Sequence, residues 1–313
     1  MSKNAVIDIG TNTLILLIAK NNGKKMEVLH DEAVITRLGQ GLTENHFFSS
    51  EAMNRTKAVL VSFKKKCDEM KVQKIVAVGT AACRIAANTK VFQDTVKKEC
   101  GFKIDIISPD EEANGTFQAV FADFGDKKSK FIVVDIGGGS TEIITGPMAS
   151  KKGGPESVIS LTTGSVRLTE QYVHSDPISE EDFNRLHIGI RNGLVDDLDG
   201  FYPNNDFSAY KMIATAGTAT TLAALDKKMA RYNPAKIHGA KLSKKNLEQI
   251  IGRLVPLSVS EKQKLPGLEP LRADVILSGA LLLNEIMRYF KQDTTLISDR
   301  GLRYGVYAKR FLK

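Results

Sequence analysis

The sequence predicts an α/β fold of two similar domains, and two observations support this prediction. Apolar runs typical of buried strands alternate with amphipathic helical segments along the chain. Two of these runs also end alike, because each leads through an aspartate into a glycine-containing turn that is followed by hydroxyl residues. The two aspartates, Asp8 and Asp135, lie 127 residues apart (135 − 8). Each copy is therefore expected to begin one half of the molecule.

Strands and helices alternate in the first half. The helix predicted at 50–69 has apolar residues at three- and four-residue spacing, and a serine at position 49 or 50 can cap it. The helix predicted at 109–124 carries Pro109 near its first turn, where proline is favourable. In order, the predicted elements are a strand, turn and strand at 4–19, a strand at 25–37, a helix at 50–69, a strand at 74–79, a helix at 89–100, a strand at 103–107 and a helix at 109–124.

The second half begins at the repeated strand near residue 131. The polar stretch at 124–130 before it is too short for a tether, so it predicts a hinge between domains 1–125 and 126–313, with a cleft between them. In order, the predicted elements are the strand near 131, two strands linked by a glycine-rich turn at 151–155, helices at 165–173 and 179–198, a strand at 211–216 entering the turn at 217–221 and a helix, helices at 243–254 and 270–290, a strand at 294–298 and a last helix.

Composition excludes several classes of protein. The chain has 313 residues, of which 42% are hydrophobic and 26% charged, as in ordinary globular proteins. No apolar run approaches the roughly 20 residues of a membrane helix, and a strand beginning by residue 5 leaves no room for a signal peptide. Three cysteines without a CxxC spacing indicate a reduced protein without structural zinc. We therefore expect a cytoplasmic protein, with no membrane or nucleic-acid partner, whose net charge of +8 favours an anionic ligand.

The two turns are candidate phosphate-binding sites. Glycine lets the backbone approach an anion closely, and exposed N–H groups and hydroxyls can hold phosphate oxygens. The first turn taken alone also fits a plain hairpin with an asparagine turn, whereas three successive glycines in the second are rarely needed by a structural turn. The predicted phosphate-binding residues are Gly10, Thr11, Asn12 and Thr13 in the first turn, and Gly137, Gly138, Gly139, Ser140 and Thr141 in the second.

Carboxylates beside these turns are candidate metal ligands. Asp135 and Glu142 flank the triple glycine and can share a Mg²⁺ ion, which prefers one or two carboxylates together with phosphate oxygens and water. Asp8 at the first turn can hold a cation or a water. The expected cofactor is therefore Mg²⁺.

Two further segments carry candidate catalytic groups. Arg84, in the Gly79–Asn88 segment, can clamp a phosphate bidentately, although an arginine at a helix start can also be merely solvated. An acidic cluster opens the helix after Ser108, and one of its carboxylates can act as the general base that activates water. The alternative is that these acids only complement the helix dipole. Cys83 is interpreted as a core residue, and His238 lies in a basic loop and is expected near the ligand.

These segments, in this order, resemble the exopolyphosphatase / guanosine pentaphosphate phosphohydrolase family, which belongs to the actin, sugar-kinase and chaperone-ATPase superfamily. The resemblance covers nearly the whole chain. It implies two actin-like (ribonuclease H-like) domains, and a short form without the C-terminal helical domains of longer members. The segments that carry it are Asp8–Thr13, Arg37–Gly41, Gly79–Asn88, Ser108–Ala113, Asp135–Glu142, Thr163–Glu170, Gly217–Thr221, His238–Gly239, Arg272–Asp274 and Ser298–Gly305.

The resemblance also assigns roles to individual residues. The family's catalytic glutamate corresponds to Glu112, its metal-associated acids to Asp135 and Glu142, and its phosphate-contacting groups to the two turns and Arg84. The expected activity is Mg²⁺-dependent release of terminal phosphate from inorganic polyphosphate. Guanosine pentaphosphate is the alternative substrate. A sugar or carboxylate kinase on the same fold remains an alternative within enzymes. A non-catalytic sensor of a phosphorylated nucleotide remains the alternative from another class.

A preference for polyphosphate is predicted from charge. A lysine cluster around the loops of the second half would favour a multiply charged polymer. The sequence leaves the oligomeric state open, with a homodimer as one candidate. The clustered lysines are Lys127, Lys128, Lys130, Lys151 and Lys152.

Overall fold

A computed structural model of the protein describes residues 2–22, 25–125, 129–147, 155–202 and 206–312. The predicted α/β class is confirmed, because the described strands form a five-stranded and a six-stranded sheet and helices pack against both. The strands are β1 (Lys3–Ile9), β2 (Thr13–Asn22), β3 (Lys25–Ile35), β4 (Lys74–Gly79), β5 (Ile104–Ile106), β6 (Lys130–Ile136), β7 (Thr141–Pro147), β8 (Ser157–Leu161), β9 (Lys211–Thr215), β10 (Lys241–Ser243) and β11 (Thr294–Ile297).

Most predicted helices are present with bounds close to those expected. The segment predicted as one helix at 270–290 is instead a 3₁₀ turn at Pro270–Arg272 followed by a separate helix. The α-helices are α1 (Leu42–Asn45), α2 (Ser50–Glu69), α3 (Ala81–Ile85), α4 (Thr89–Cys100), α5 (Pro109–Phe124), α6 (Ser165–Tyr172), α7 (Glu180–Asp199), α8 (Ala216–Asp226), α9 (Pro234–Ile237), α10 (Lys244–Leu254), α11 (Val259–Lys262), α12 (Ile276–Tyr289) and α13 (Leu302–Phe311).

The chain folds into two compact units, Met1–Ala119 with Gly301–Lys313, and Val120–Arg300. The sequence-based division at residues 125 and 126 differs in that it assigns α13 to the second half. The predicted turn at 151–155 and the predicted hinge loop at 124–130 lie partly outside the described residues. No described helix is both long and apolar enough to span a bilayer.

The first unit is built on a sheet with the order β3-β2-β1-β4-β5. β1 runs antiparallel to β2 and parallel to β4, which in turn runs parallel to β5. Alternate residues of β1 face opposite sides of this sheet. One side packs against α2 and α4, and the other packs against residues of α13.

The second unit repeats this arrangement. Its sheet has the order β10-β11-β9-β6-β7-β8, in which β6 runs antiparallel to β7 and parallel to β9. β6 therefore occupies the position of β1, and β7 that of β2. The core lies on the side of the sheet that packs against α7, α8, α10 and α12.

Two glycines in the first unit allow α5 and α13 to cross at very short distance. A Cβ added to Gly305 would lie 1.9 Å from the carbonyl oxygen of Gly115. A Cβ added to Gly115 would lie 2.8 Å from the Leu302 Cδ1 atom. The position of α5 is therefore fixed by backbone contact with α13.

Candidate active site

The carboxyl ends of three parallel strands meet at one edge of the first sheet. The Thr80 N–H after β4 donates to the Ile9 carbonyl of β1 at 3.2 Å, and the Ile107 N–H after β5 donates to the Gly79 carbonyl at 3.1 Å. Three predicted site elements follow directly from these strand ends, namely the turn at 10–13, the segment with Arg84 and the helix with Glu112. Neighbouring strands lie about 4.8 Å apart, so the strands carrying the turn and Glu112 end roughly 10 Å apart.

Glu112 and Arg84, predicted separately, form an ion pair at this edge. The Arg84 Nη1 atom lies 2.7 Å from the Glu112 Oε2 atom and also donates to the Ile107 carbonyl at 3.1 Å. Glu112 is only 9% exposed. Burial raises the pKa of the Glu112 carboxyl, and the charge and hydrogen bond of Arg84 oppose this rise. The pair therefore holds a carboxyl group of raised basicity in a fixed orientation.

The structure distinguishes Glu112 from its acidic neighbour in the first turn of α5. The Glu111 N–H donates to the Ser108 hydroxyl oxygen at 3.1 Å, which caps the helix, and the Glu111 carboxylate lies 3.5 Å from Lys309 on α13. Glu111 is exposed and engaged at the helix terminus, as the helix-dipole alternative predicts. Only Glu112 combines burial with a contact to Arg84.

The two glycine-containing turns have the same hydrogen bond. The Gly10 N–H donates to the Thr13 carbonyl at 3.0 Å, and the Gly137 N–H donates to the Ser140 carbonyl at 3.0 Å. A Cβ on Gly10 or Gly137 would lie 2.9 or 3.1 Å from that same carbonyl oxygen, so the tight turn favours glycine at both positions. Residues 127 positions apart in the sequence therefore make the same hydrogen bond in the two units.

In each unit, the segment after the third strand donates backbone hydrogen bonds to the carbonyl groups of the glycine-containing turn. Gly39 N–H donates to the Thr11 carbonyl at 2.8 Å, and the N–H groups of Ser165 and Val166 donate to the Gly137 and Gly138 carbonyls at 3.0 and 2.9 Å. These bonds engage the carbonyl groups of each turn. In the described part of the chain, the N–H groups of Gly138 and Gly139 have no protein acceptor and remain available to an anion.

Sequence reasoning missed this supporting role, although the segments carried part of the family resemblance. A Cβ on Gly39 would lie 2.3 Å from the Thr11 Cγ2 atom, and one on Gly164 would lie 2.5 Å from the Gly138 oxygen. A single glycine after a strand does not indicate such a contact in the sequence. The contact is known only from the fold, which brings the glycine back beside the turn.

Asp135 and Glu142 lie directly opposite each other on β6 and β7. The same row of the sheet continues to Thr215 on β9 and Ser160 on β8, whose hydroxyl donates to Glu142 at 2.9 Å. Both carboxylates are buried, at 9% and 2% exposure, and like charges directly opposite on a sheet are unfavourable. The residue equivalent to Glu142 in the first unit is Ile15, opposite Asp8, so the acidic pair of the second unit has no counterpart at the equivalent positions.

This acidic pair fits a hard cation. Two carboxylates and open positions for phosphate oxygens and water are the donor set that Mg²⁺ prefers, and the cation would offset the repulsion between the two acids. Asp8, the third predicted ligand, belongs to the first unit. Within the described ranges, no three acidic, histidine or cysteine side chains gather closely enough to hold a metal by themselves. A metal here would therefore depend on oxygen ligands from substrate and water.

Three other predicted residues have defined surroundings. Cys83 is buried, and burial raises the pKa of its thiol to about 12, which disfavours a thiolate nucleophile. His238 lies 3.6 Å from Asp123 and beside the Phe124 ring, and burial lowers the pKa of its imidazole. Gly217 lies in the first turn of α8, where a Cβ would meet the Arg272 guanidinium at 2.1 Å.

The lysine cluster predicted to attract substrate can be compared with the structure at one position only. Lys127, Lys128, Lys151 and Lys152 lie outside the described residues. Lys130 begins β6 and stacks over the Tyr210 ring at 5.4 Å. It therefore lies at the opposite end of the seven-residue strand from the Gly137 turn, about 20 Å away.

Comparison with known proteins identifies the family. The Ppx/GppA phosphatase family matches residues 17–313, which is nearly the whole chain. The chain belongs to the Ppx/GppA phosphatase family. The predicted resemblance is thereby confirmed, and the chain is an enzyme of phosphatase type.

Relatives within the Ppx/GppA family differ in length and in name. The chain is 32% identical to exopolyphosphatase 2 of Mycobacterium tuberculosis, covering 98% of both proteins. It is 35% identical to the bifunctional 3-dehydroquinate synthase/phosphatase of Fusobacterium nucleatum, over 96% of this chain and only 45% of that protein. It is 28% identical to the guanosine-5'-triphosphate,3'-diphosphate pyrophosphatase of Aliivibrio fischeri, over 96% of this chain and 58% of the relative.

Solved structures agree on the fold. The chain is similar to the Aquifex aeolicus PPX-GPPA enzyme with a TM-score of 0.80 and 32% identity over 99% of each chain. It is also similar to an exopolyphosphatase from Cytophaga hutchinsonii, with a TM-score of 0.87 and 26% identity over 100% of this chain and 99% of the other. The two α/β units are therefore the actin-like units of Ppx/GppA enzymes.

Proposed function

We propose that this Ppx/GppA protein is a Mg²⁺-dependent exopolyphosphatase that releases terminal phosphate from inorganic polyphosphate, with Glu112 as the general base. The observation that carries this proposal is the buried Arg84–Glu112 pair at the strand edge that also presents the Gly10–Thr13 turn. An inverting displacement at phosphorus by water needs one group to accept the water proton. It also needs several donors to stabilise the charge that develops on phosphate oxygens.

Glu112 suits the first task. Its raised pKa makes the carboxylate a better proton acceptor than an ordinary exposed glutamate, and its contact to Arg84 keeps one oxygen oriented. Arg84 therefore acts first as a positioning residue. Its predicted phosphate contact would require the guanidinium to serve substrate and Glu112 together, which its several N–H donors allow.

The turns suit the second task. Gly138 and Gly139 are partly exposed, and the carbonyl groups of Gly137 and Gly138 accept hydrogen bonds from N–H groups of α6. Backbone donors fixed in this way need no reorganisation as negative charge spreads over the phosphate oxygens. The residues Thr11 and Asn12 in the equivalent turn are candidates for the same role.

Asp135 and Glu142 would hold the Mg²⁺ ion. A bound Mg²⁺ neutralises charge on the phosphate oxygens and favours attack by water. The Ser160 hydroxyl fixes the Glu142 carboxylate, so this ligand would be oriented before the cation arrives.

The names of two relatives suggest two candidate substrates for this chain. The relative named exopolyphosphatase supports polyphosphate, and the relative named guanosine-5'-triphosphate,3'-diphosphate pyrophosphatase supports guanosine pentaphosphate. Both substrates end in a phosphoanhydride. The similarity over 98% of the exopolyphosphatase favours polyphosphate, as does the net charge of +8. Guanosine pentaphosphate is the second candidate substrate.

The test is phosphate release from short polyphosphate, long polyphosphate and guanosine pentaphosphate, each with Mg²⁺ titrated. We expect turnover with polyphosphate that is abolished by chelator and exceeds turnover with the nucleotide. Transfer of phosphate from ATP to an organic acceptor would instead indicate a kinase. Binding without phosphate release at catalytic amounts of protein would indicate a sensor.

A further inference from the structure

A second cationic region lies in the second unit, apart from the lysines singled out by the sequence. Between Asp226 and Glu248 the chain contains seven lysines and arginines and no acidic residue. This density of positive charge is unusual for a protein in which acidic residues number 36 against 44 basic ones. The segment includes α9, β10 and the loops that flank them.

Three of these cations, Arg231, Lys236 and Lys241, are exposed. Among the residues that the structure describes, none of the three has a carboxylate within the 4.0 Å of an ion pair. Many surface cations elsewhere do have such a partner. Examples are Lys57 with Glu99, Lys64 with Asp68, Lys90 with Asp94 and Lys309 with Glu111.

Arg231 and Lys241 can be placed relative to the Gly137 turn, and Lys236 lies on α9 between them in the chain. Lys241 is level with Val133 and three strands away from β6, so it lies roughly 20 Å from the turn. β6, β9 and β11 run parallel, so their carboxyl ends share one edge. The Gly239 N–H donates to the Ile297 carbonyl at the end of β11, and Lys241 is paired with Leu296 in the sheet. The Tyr232 hydroxyl, beside Arg231, donates to the Asp299 carboxylate just after β11.

We propose that Arg231, Lys236 and Lys241, here termed the cationic edge, bind the phosphates that trail behind the terminal phosphate of a polyphosphate chain. This inference rests on the proposed function. A linear polyanion gains affinity from a row of cations through release of counterions. The second unit would then hold both the terminal phosphate, at the Gly137 turn, and the chain leading away from it.

The test compares the R231Q/K236Q/K241Q variant with a control that loses the same charge elsewhere. The control is K65Q/K97Q/K98Q, which neutralises three exposed cations on α2 and α4 of the first unit. The measured quantity is the KM for long polyphosphate divided by the KM for tripolyphosphate. We expect this ratio to rise about tenfold in the cationic-edge variant, because an exposed ion pair contributes a few-fold in affinity. The control should keep the parent ratio.

Salt dependence provides a second readout. Loss of three phosphate contacts should reduce the slope of log KM against log salt concentration by about 2 for long polyphosphate, by analogy with single-stranded nucleic acids. Equal KM ratios in both triple variants would overturn the proposal. A second outcome would also overturn the proposal. In it, the cationic-edge variant loses binding to single-stranded RNA while its KM ratio for polyphosphate stays at the parental value. Failure of the proposed function is a different result, namely no phosphate release from any polyphosphate by the parent protein.

Discussion

The close crossing of α5 and α13 makes a quantitative prediction about catalysis. An alanine Cβ at position 305 would lie 1.9 Å from the Gly115 carbonyl oxygen, whereas ordinary contacts begin at 3.4 Å. The two helices must therefore separate by roughly 1.5 Å, and overpacking of this kind typically costs about 1–3 kcal/mol of stability. Glu112 lies three residues before Gly115, so the displacement includes the proposed general base. A misplacement of about 1 Å in a reacting group can reduce turnover by about 10²-fold.

A graded series of glycine substitutions tests this reasoning. G305A meets backbone, G115A meets only the movable end of the Leu302 side chain at 2.8 Å, and G252A on α10 meets nothing within 4 Å. We expect kcat for phosphate release to fall about 10²-fold in G305A, less in G115A and not at all in G252A. Thermal unfolding should identify any loss of folded protein. A folded G305A variant with parental kcat would refute the claim that this crossing positions Glu112.

Three further predictions concern the site directly. R84Q should shift the acid limb of the pH profile of kcat/KM to higher pH, because Arg84 lowers the pKa of Glu112 and its removal lets that pKa rise further. An unmoved limb would contradict the pairing. D135N and E142A should each raise the Mg²⁺ concentration needed for half-maximal activity, and curves superimposed on the parent for both would exclude the metal role. Polyphosphate should be preferred over guanosine pentaphosphate, with a KM that rises more steeply with salt, and equal salt dependence of the two substrates would contradict this preference.

The fold and the turns could be predicted from the sequence because their signals are local. An apolar run, an aspartate and a glycine turn lie within nine to eleven residues, and the repeat at 127 residues then indicates two equivalent units. The structure adds that Gly10 and Gly137 close the same hydrogen-bonded turn. Short helices such as α1, α9 and α11 were not predicted, since four residues give no helical periodicity.

The relation between Arg84 and Glu112 could not be predicted, although each residue was singled out. They lie 28 residues apart, and only the parallel pairing of β4 and β5 brings the segments after these strands together. The same limit applies to charge. Lys130 was grouped with other lysines by proximity in sequence, yet it lies at the far end of β6 from the turn. The assignment of α13 to the first unit likewise depends on the contact between Gly305 and Gly115, which no local pattern indicates.

The most direct test of the account is phosphate release by E112Q beside E111Q. These variants remove one charge each from adjacent residues, but only Glu112 is buried against Arg84, whereas Glu111 is exposed at the helix terminus. With saturating Mg²⁺ and polyphosphate, we predict that E112Q loses about 10²- to 10⁴-fold in kcat while it still folds and binds substrate, as expected for removal of a general base. E111Q should retain most of the parental kcat. Parental turnover in folded E112Q, or a loss confined to E111Q, would contradict the assignment of Glu112 as the base.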